Sequence, residues 1–110
     1  MIAETMVAGE NFEVEFEILL NNSPEDITAY TAKISMNDTS PDGKLLQTWD
    51  DSSAEITRSN SAGKVTLLIP AGITNAYKFK HAYMDLLLQK SDGGIRSVAL
   101  KITLDRGVTR

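Results

Sequence analysis

The sequence contains no cysteine, and this absence excludes several classes of protein at once. Without thiols there is no disulfide framework, no thiolate nucleophile and no cysteine-ligated zinc site. Long hydrophobic runs are also missing, since no stretch approaches the roughly 20 apolar residues of a membrane-spanning helix. The segment Met1–Ala8 carries Glu4 where a signal peptide would have a basic residue. We therefore expect a protein made in a reducing cytosol, with no membrane as a partner.

A surplus of basic residues is likewise absent. Eleven Lys and Arg residues face fifteen Asp and Glu residues, so the net charge is −4. Proteins that bind nucleic acid through its phosphates need the opposite balance, and we expect no nucleic acid as a partner. The 110 residues are 42% hydrophobic and 24% charged, which is ordinary for a folded chain of this length. The composition predicts a single domain over residues 1–110.

The charge is divided between the two halves of the chain. Residues 1–55 contain twelve acidic and two basic residues, a net charge of −10, whereas residues 56–110 contain nine basic and three acidic residues, a net charge of +6. One interpretation is that the opposite charges pair within the fold, across neighbouring strands. The other is a self-complementary surface, in which copies associate head to tail and close into a ring.

Hydrophobic and polar residues alternate along most of the chain, which is typical of strands with one buried and one exposed face. The segment Ser91–Gly94 then predicts a hairpin turn, and Ala71–Lys78 predicts a crossing loop or a single helical turn. Strands are predicted within Ile2–Val7, Asn11–Leu20, Thr31–Met36, Leu45–Thr48, Ala54–Arg58, Val65–Ile69, His81–Gln89 and Val98–Leu104.

This succession of short strands, without a long amphipathic helix, determines the fold class that we expect. About seven strands separated by turn residues predict an all-β protein, an immunoglobulin-like antiparallel β-sandwich. A partly open β-barrel is the alternative.

Candidate catalytic residues are few. The only histidine, His81, lies in a predicted strand, and no Gly-x-Ser-x-Gly segment is present to expose a serine nucleophile. Glu13 and Glu15 lie two residues apart on one strand face, about 7 Å from each other, which leaves a carboxylate pair open on distance alone. No other feature supports such a pair, and we predict a protein that is not an enzyme.

Metal and cofactor sites are not indicated either. Asp38 with Asp42, and Asp50 with Asp51, fall in turn-rich segments but do not follow the spacing of a calcium-binding loop. The sequence has no phosphate-binding loop and no dinucleotide-binding motif. We expect no bound metal and no cofactor.

Aromatic side chains suggest one further function. Trp49, Tyr77, Phe79 and Tyr83 could form a stacking platform for sugars, as in carbohydrate-binding modules, with Trp49, Tyr77 and Tyr83 as the residues that would bind the sugar. The competing interpretation places Trp49, the only tryptophan, in the core between two sheets.

Six short motifs occur in order along the chain and cover most of it: Gly9-Glu10-Asn11-Phe12, Asp26-Ile27-Thr28-Ala29-Tyr30-Thr31-Ala32, Gly63-Lys64-Val65-Thr66-Leu67-Leu68-Ile69-Pro70, Asp85-Leu86 with Leu88, Asp92-Gly93 and Val108-Thr109-Arg110. Together they resemble small β-sandwich proteins of bacteriophage and prophage structural modules, similar to the N-terminal domains of baseplate and tail-fibre proteins. The chain departs from that pattern at Met84, where the family has tyrosine, and at Ala99 and Leu100, where a glycine is usual.

The resemblance implies a non-catalytic structural protein of the virion, located in the tail, baseplate, fibre or neck. Its partners would be other virion proteins, and we expect a homo-oligomer. The charge pattern indicates the residues that would form such an interface: Glu13, Glu15, Glu17, Lys78, Lys80 and Lys101.

Overall fold

The computed structural model describes residues 2–38 and 43–105 as an all-β protein with one short helix. Asp42 and the motif Val108-Thr109-Arg110 lie outside the described residues. The elements are β1 (Ile2–Val7), β2 (Phe12–Glu17), β3 (Leu19–Leu20), β4 (Ser23–Pro24), β5 (Tyr30–Asp38), β6 (Leu45–Asp50), β7 (Ile56–Ser59), β8 (Lys64–Ile69), α1 (Ala71–Thr74), β9 (His81–Lys90) and β10 (Ile95–Asp105).

The strands form two main sheets. The five-stranded sheet has the order β1-β10-β9-β5-β6, and the three-stranded sheet has the order β2-β8-β7. In the described part of the chain the two sheets are not joined into one hydrogen-bonded ring. The prediction of an immunoglobulin-like β-sandwich is therefore confirmed, and the partly open barrel is not what forms.

Two details differ from the prediction. Strand β1 pairs with β10 in parallel, with Ala3 opposite Lys101, so the five-stranded sheet is mixed rather than purely antiparallel. The expected strand Asn11–Leu20 divides into β2 and a two-residue strand β3, which pairs with β4 across Asn21 and Asn22. Both asparagines have positive φ, 53° and 66°, as a two-residue hairpin turn requires.

The alternation seen in the sequence separates core from surface. Alternate residues of β2, β5, β8 and β9 are buried, as in the BeBeBe pattern of Phe12–Glu17. The core side chains come from both sheets and are almost fully buried, among them Val14, Phe16, Ile34, Met36, Trp49, Leu67, Ile69, Met84, Leu86 and Ile102. Burial of this apolar surface is the main term that holds the sheets together.

The segment between β8 and β9 crosses from one sheet to the other. Pro70 ends β8, because it lacks the N–H of a strand ladder, and α1 is a single turn, as predicted. Thr74 is fully buried there, and its hydroxyl accepts the Gly9 N–H at 3.1 Å and lies 2.7 Å from the Glu10 carbonyl oxygen. The crossing is thereby fixed to the turn between β1 and β2.

Candidate interaction surfaces

The three glutamates of β2 form an exposed acidic stripe, defined here as Glu13, Glu15 and Glu17. They project from the outer face of the three-stranded sheet, because the intervening residues of β2 are buried in the core. Glu15 forms an ion pair with Lys64 at 3.1 Å. Neither Glu13 nor Glu17 has a hydrogen bond or an ion pair with any described residue. Two carboxylates of the stripe are thus available to another molecule.

The three lysines predicted to complement this stripe lie on two different segments of the chain. Lys101 lies on β10, on the outer face of the five-stranded sheet, and is half-buried. Lys78 and Lys80 are exposed in the segment that leads into β9. Lys101 and the acidic stripe therefore lie on opposite sides of the sandwich.

Part of the charge imbalance between the two halves is resolved inside the fold. Three ion pairs join an acidic residue of positions 1–55 to a basic residue of positions 56–110: Glu15 to Lys64, Glu25 to Arg96 and Asp51 to Arg58. Pairing within the fold is confirmed for these residues, but only Glu15 and Lys64 lie on neighbouring strands, since Glu25 and Asp51 lie in loops. The charges that remain on the surface are the ones that can act between molecules.

The ion pair of Glu25 and Arg96 lies at the end of the sandwich near the β3–β4 hairpin. Arg96 Nε donates to Glu25 Oε1 at 2.9 Å, Arg96 Nη2 lies 3.3 Å from Glu25 Oε2, and the Tyr30 hydroxyl donates to Oε2 at 3.2 Å. The Glu25 side chain is only 11% exposed. The hydrogen bond from Arg96 is the largest cause that lowers the pKa of Glu25, and it outweighs burial, which acts in the opposite direction.

Arg58 holds three segments together at the same end. Its Nη1 donates to both carboxylate oxygens of Asp51, at 3.0 and 3.1 Å, and its Nη2 donates to the Ile27 carbonyl at 2.6 Å. Asp51 in turn accepts the Ala32 N–H at 2.9 Å. The alternation of hydrophobic and polar residues does not reveal contacts between distant parts of the chain. The sequence therefore did not identify Arg58 or Arg96 as structural residues.

The outer face of the five-stranded sheet has a different character. Four large apolar side chains are exposed on it, by 38% to 55% of their surface: Leu45, Tyr83, Leu87 and Ile95. Asp85 lies between Tyr83 and Leu87 on β9, opposite Ser35 on one side and Ala99 on the other. Apolar groups gathered on a sheet face are a feature of protein-binding surfaces.

The three aromatic residues proposed as a sugar platform are separated. Trp49 is 3% exposed and packs in the core, which is the competing interpretation made from the sequence. Tyr77 is half-buried, and its hydroxyl donates to Gln47 Oε1 at 2.5 Å, while burial raises its pKa to about 12. Tyr83 lies on the outer face of the sheet whose inner face holds Trp49. The three side chains share no surface on which one sugar could stack.

The candidate catalytic groups lie on open sheet faces. His81 is half-buried at the start of β9, and its Nδ1 lies 3.2 Å from Thr103 Oγ1 on β10. Glu13 and Glu15 are exposed on the opposite sheet. Within residues 2–38 and 43–105, no three His, Asp or Glu side chains are grouped as metal ligands. No helix of this part of the chain is long and apolar enough to cross a membrane.

Shallow pockets lie between described residues on the surface. One, of about 330 Å³, includes the aromatic pair Tyr77 and Phe79, whose ring centroids are 5.4 Å apart, together with Lys44 and Lys78. Another, of about 410 Å³, is lined at the end of β9 by Thr31, Gln89, Lys90 and residues of the adjoining loops.

No protein-family model matches the chain, and no curated protein is similar to it in sequence. Among solved structures, CopC from Methylosinus trichosporium OB3b is similar in fold, with a TM-score of 0.56 and 15% identity over 100% of this chain and 90% of CopC. The first Ig-like domain of human CD48 (TM-score 0.42, 15% identity, 100% and 86% covered) and murine CRIg (0.49, 12%, 94% and 92%) are less similar. At these identities the likeness to CopC concerns the β-sandwich alone.

Proposed function

We propose that this chain is a non-catalytic structural protein of a bacteriophage virion, in the tail, baseplate, fibre or neck, and that it acts by assembling with other virion proteins. One observation carries the proposal. Both outer faces of the sandwich present side chains that the fold itself does not use, carboxylates on one side and apolar groups on the other. The resemblance of the ordered sequence motifs to phage structural modules supplies the virion as the setting.

The edges of the sheets give assembly a second means of contact. Strands β1, β2, β6 and β7 each end a described sheet, so each has one side whose backbone groups pair with no described strand. Such edges can accept a strand from a neighbouring subunit. The acidic stripe lies on β2 and would set the orientation of a basic partner through charge complementarity.

The proposal is tested by asking whether the chain becomes part of particles. Phage particles from an induced culture of the host strain are banded by density, and peptides of this chain are sought by mass spectrometry. We expect the chain in the particle band at a fixed ratio to the other structural proteins. Recovery only among the free proteins of the lysate would contradict the proposal.

The acidic stripe is tested in the same system with two matched variants. Glu13→Gln with Glu17→Gln removes both carboxylates that lack an ion pair and leaves the Glu15–Lys64 pair intact. Glu4→Gln with Asp92→Asn changes the net charge equally, and its asparagine can still accept the Gly94 N–H. We expect the first variant to be incorporated less than the second. Equal incorporation of the two variants would show that the acidic stripe is not part of the interface.

A further inference from the structure

The centre of the outer face of the five-stranded sheet contains an acid and a base that have no partner among the described residues. Asp85 on β9 is exposed and Lys101 on β10 is half-buried, and neither forms a hydrogen bond or an ion pair with any described residue. Lys101 is opposite Tyr83, and Asp85 is opposite Ala99. The two charges therefore occupy diagonal positions, with Cβ atoms about 7 Å apart.

The other lysine near Asp85 lies beside a second carboxylate. Lys33 on β5 is opposite Leu87 on one side and Asp50 on the other, and the pKa of Asp50 is lowered mainly by hydrogen bonds from Ser52 and in small part by the charge of Lys33. Lys101 has Ala3 and Tyr83 as its cross-strand neighbours instead. Unlike Lys33, Lys101 therefore has no acidic residue directly opposite it in the sheet.

We propose that two copies of this chain pack face to face through the outer face of the five-stranded sheet. A twofold axis between the copies places Asp85 against Lys101 of the partner subunit, and Lys101 against Asp85 of the partner subunit. Because twofold contacts are reciprocal, one acid and one base in each chain supply two ion pairs. Tyr83 and Ala99 occupy the other diagonal of the same four positions, and the axis passes close to both. Tyr83 therefore faces Tyr83 of the partner subunit, and Ala99 faces Ala99 of the partner subunit. This inference rests on the proposed function, since it identifies the first assembly partner as a second copy.

The dimensions of the face suit such a dimer. The five strands have 6, 11, 10, 9 and 6 residues, so at about 3.3 Å per residue and about 4.8 Å per strand the face has a flat area of about 670 Å². A stable interface buries about 600 to 1,000 Å² on each partner, so nearly all of the face is required. The spread of exposed apolar side chains fits this requirement, since it runs from Leu45 on β6 to Ile95 on β10.

Charge reversal with mixing tests the proposal. Sedimentation equilibrium measures the self-association of the unmodified chain, of Asp85→Lys, of Lys101→Asp and of an equimolar mixture of the two variants. We expect each variant alone to associate at least about tenfold more weakly, because like charges then face each other twice. The mixture should recover association, since each variant supplies the charge that the other has lost. Recovery on mixing distinguishes contacts between chains from contacts within one chain.

Two controls accompany the measurement. Glu55→Lys makes the same charge change next to β7 of the three-stranded sheet, outside the acidic stripe, and should leave dimerisation unaltered. Asp85→Asn and Lys101→Gln repeat the comparison with smaller changes, and circular dichroism confirms that each variant is folded. A mass that stays at the 12.0 kDa of one chain at every concentration would overturn the proposal, as would a mixture that fails to recover. These results are independent of whether the chain is found in phage particles, so the dimer and the virion role can fail separately.

Discussion

The end of the sandwich near the β3–β4 hairpin and the outer face of the five-stranded sheet use their polar groups in opposite ways. At the hairpin end, Arg58 and Arg96 bind carboxylates and a carbonyl of the same chain. On the sheet face, Asp85 and Lys101 make no such contacts with residues 2–38 and 43–105, and leucine, isoleucine and tyrosine side chains are exposed around them. The first region holds the fold together, whereas the second is available to another molecule.

Gly63 shows how closely the hairpin end is packed, because three backbone segments meet there. The Ile18 N–H donates to the Gly63 carbonyl at 2.7 Å, and the Glu25 N–H donates to the Ile18 carbonyl at 2.9 Å. A Cβ on residue 63 would lie 2.6 Å from the Glu25 carbonyl oxygen and 2.7 Å from that of Ile18. The Ile18 carbonyl is held in place by the hydrogen bond from the Glu25 N–H, and the backbone at Gly63 has a φ of +67°, a conformation that residues with a Cβ rarely adopt.

The largest effect is therefore expected from Gly63→Ala. We expect a loss of about 4 kcal/mol in the free energy of unfolding, from overpacking combined with left-handed backbone strain. Denaturant unfolding measures it. Gly93→Ala is the matched control, since φ is +96° there but nothing lies within 4 Å of an added Cβ. Equal losses at both glycines would show that the close approach at Gly63 does not matter.

The second prediction compares two neighbours on β9. Leu86 is fully buried in the core, whereas Leu87 is 38% exposed on the outer face. Leu86→Ala should lower the free energy of unfolding by about 3 kcal/mol, because it leaves a cavity, and Leu87→Ala by less than about 1 kcal/mol. Unfolding is measured at a concentration at which the chain is monomeric. A Leu87→Ala variant as unstable as Leu86→Ala would mean that the outer face belongs to the core.

The smallest effect concerns acid stability at the hairpin end. Since the folded state lowers the pKa of Glu25 below its ordinary value of 4.5, the ionised carboxylate stabilises the fold at neutral pH. That contribution is fully present above pH 4.5 and is lost as the pH falls through the lowered pKa. Glu25→Gln should unfold more easily at neutral pH and lose less stability on acidification. The unfolding free energy of both proteins is measured across this range, and parallel curves would contradict the prediction.

The sequence predicted the elements whose information is local. Alternation identified the buried faces of β2, β5, β8 and β9, and Ser91–Gly94 identified the β9–β10 turn, in which the Gly94 N–H donates to the Asp92 carboxylate. The β3–β4 hairpin was missed, although Asn21-Asn22 is the kind of dipeptide that adopts positive φ in tight turns. A two-residue strand is too short for alternation to reveal.

The features that the sequence could not predict are contacts between residues far apart in the chain. Glu25 and Arg96 are 71 residues apart, and nothing in their local sequence indicates that they meet. The acidic stripe was found because its three members share one strand. Asp85 and Lys101 were not recognised as neighbours, because their relation depends on the register of β9 against β10.

Carboxylate footprinting at high and low protein concentration tests most directly whether the outer face of the five-stranded sheet is an interface. A carbodiimide couples an amine to exposed carboxylates, and mass spectrometry reports the extent of labelling at each residue. We expect that concentrating the protein reduces labelling of Asp85, while labelling of Glu13 on the opposite face stays constant. Labelling of Asp85 that is equal at both concentrations would contradict it.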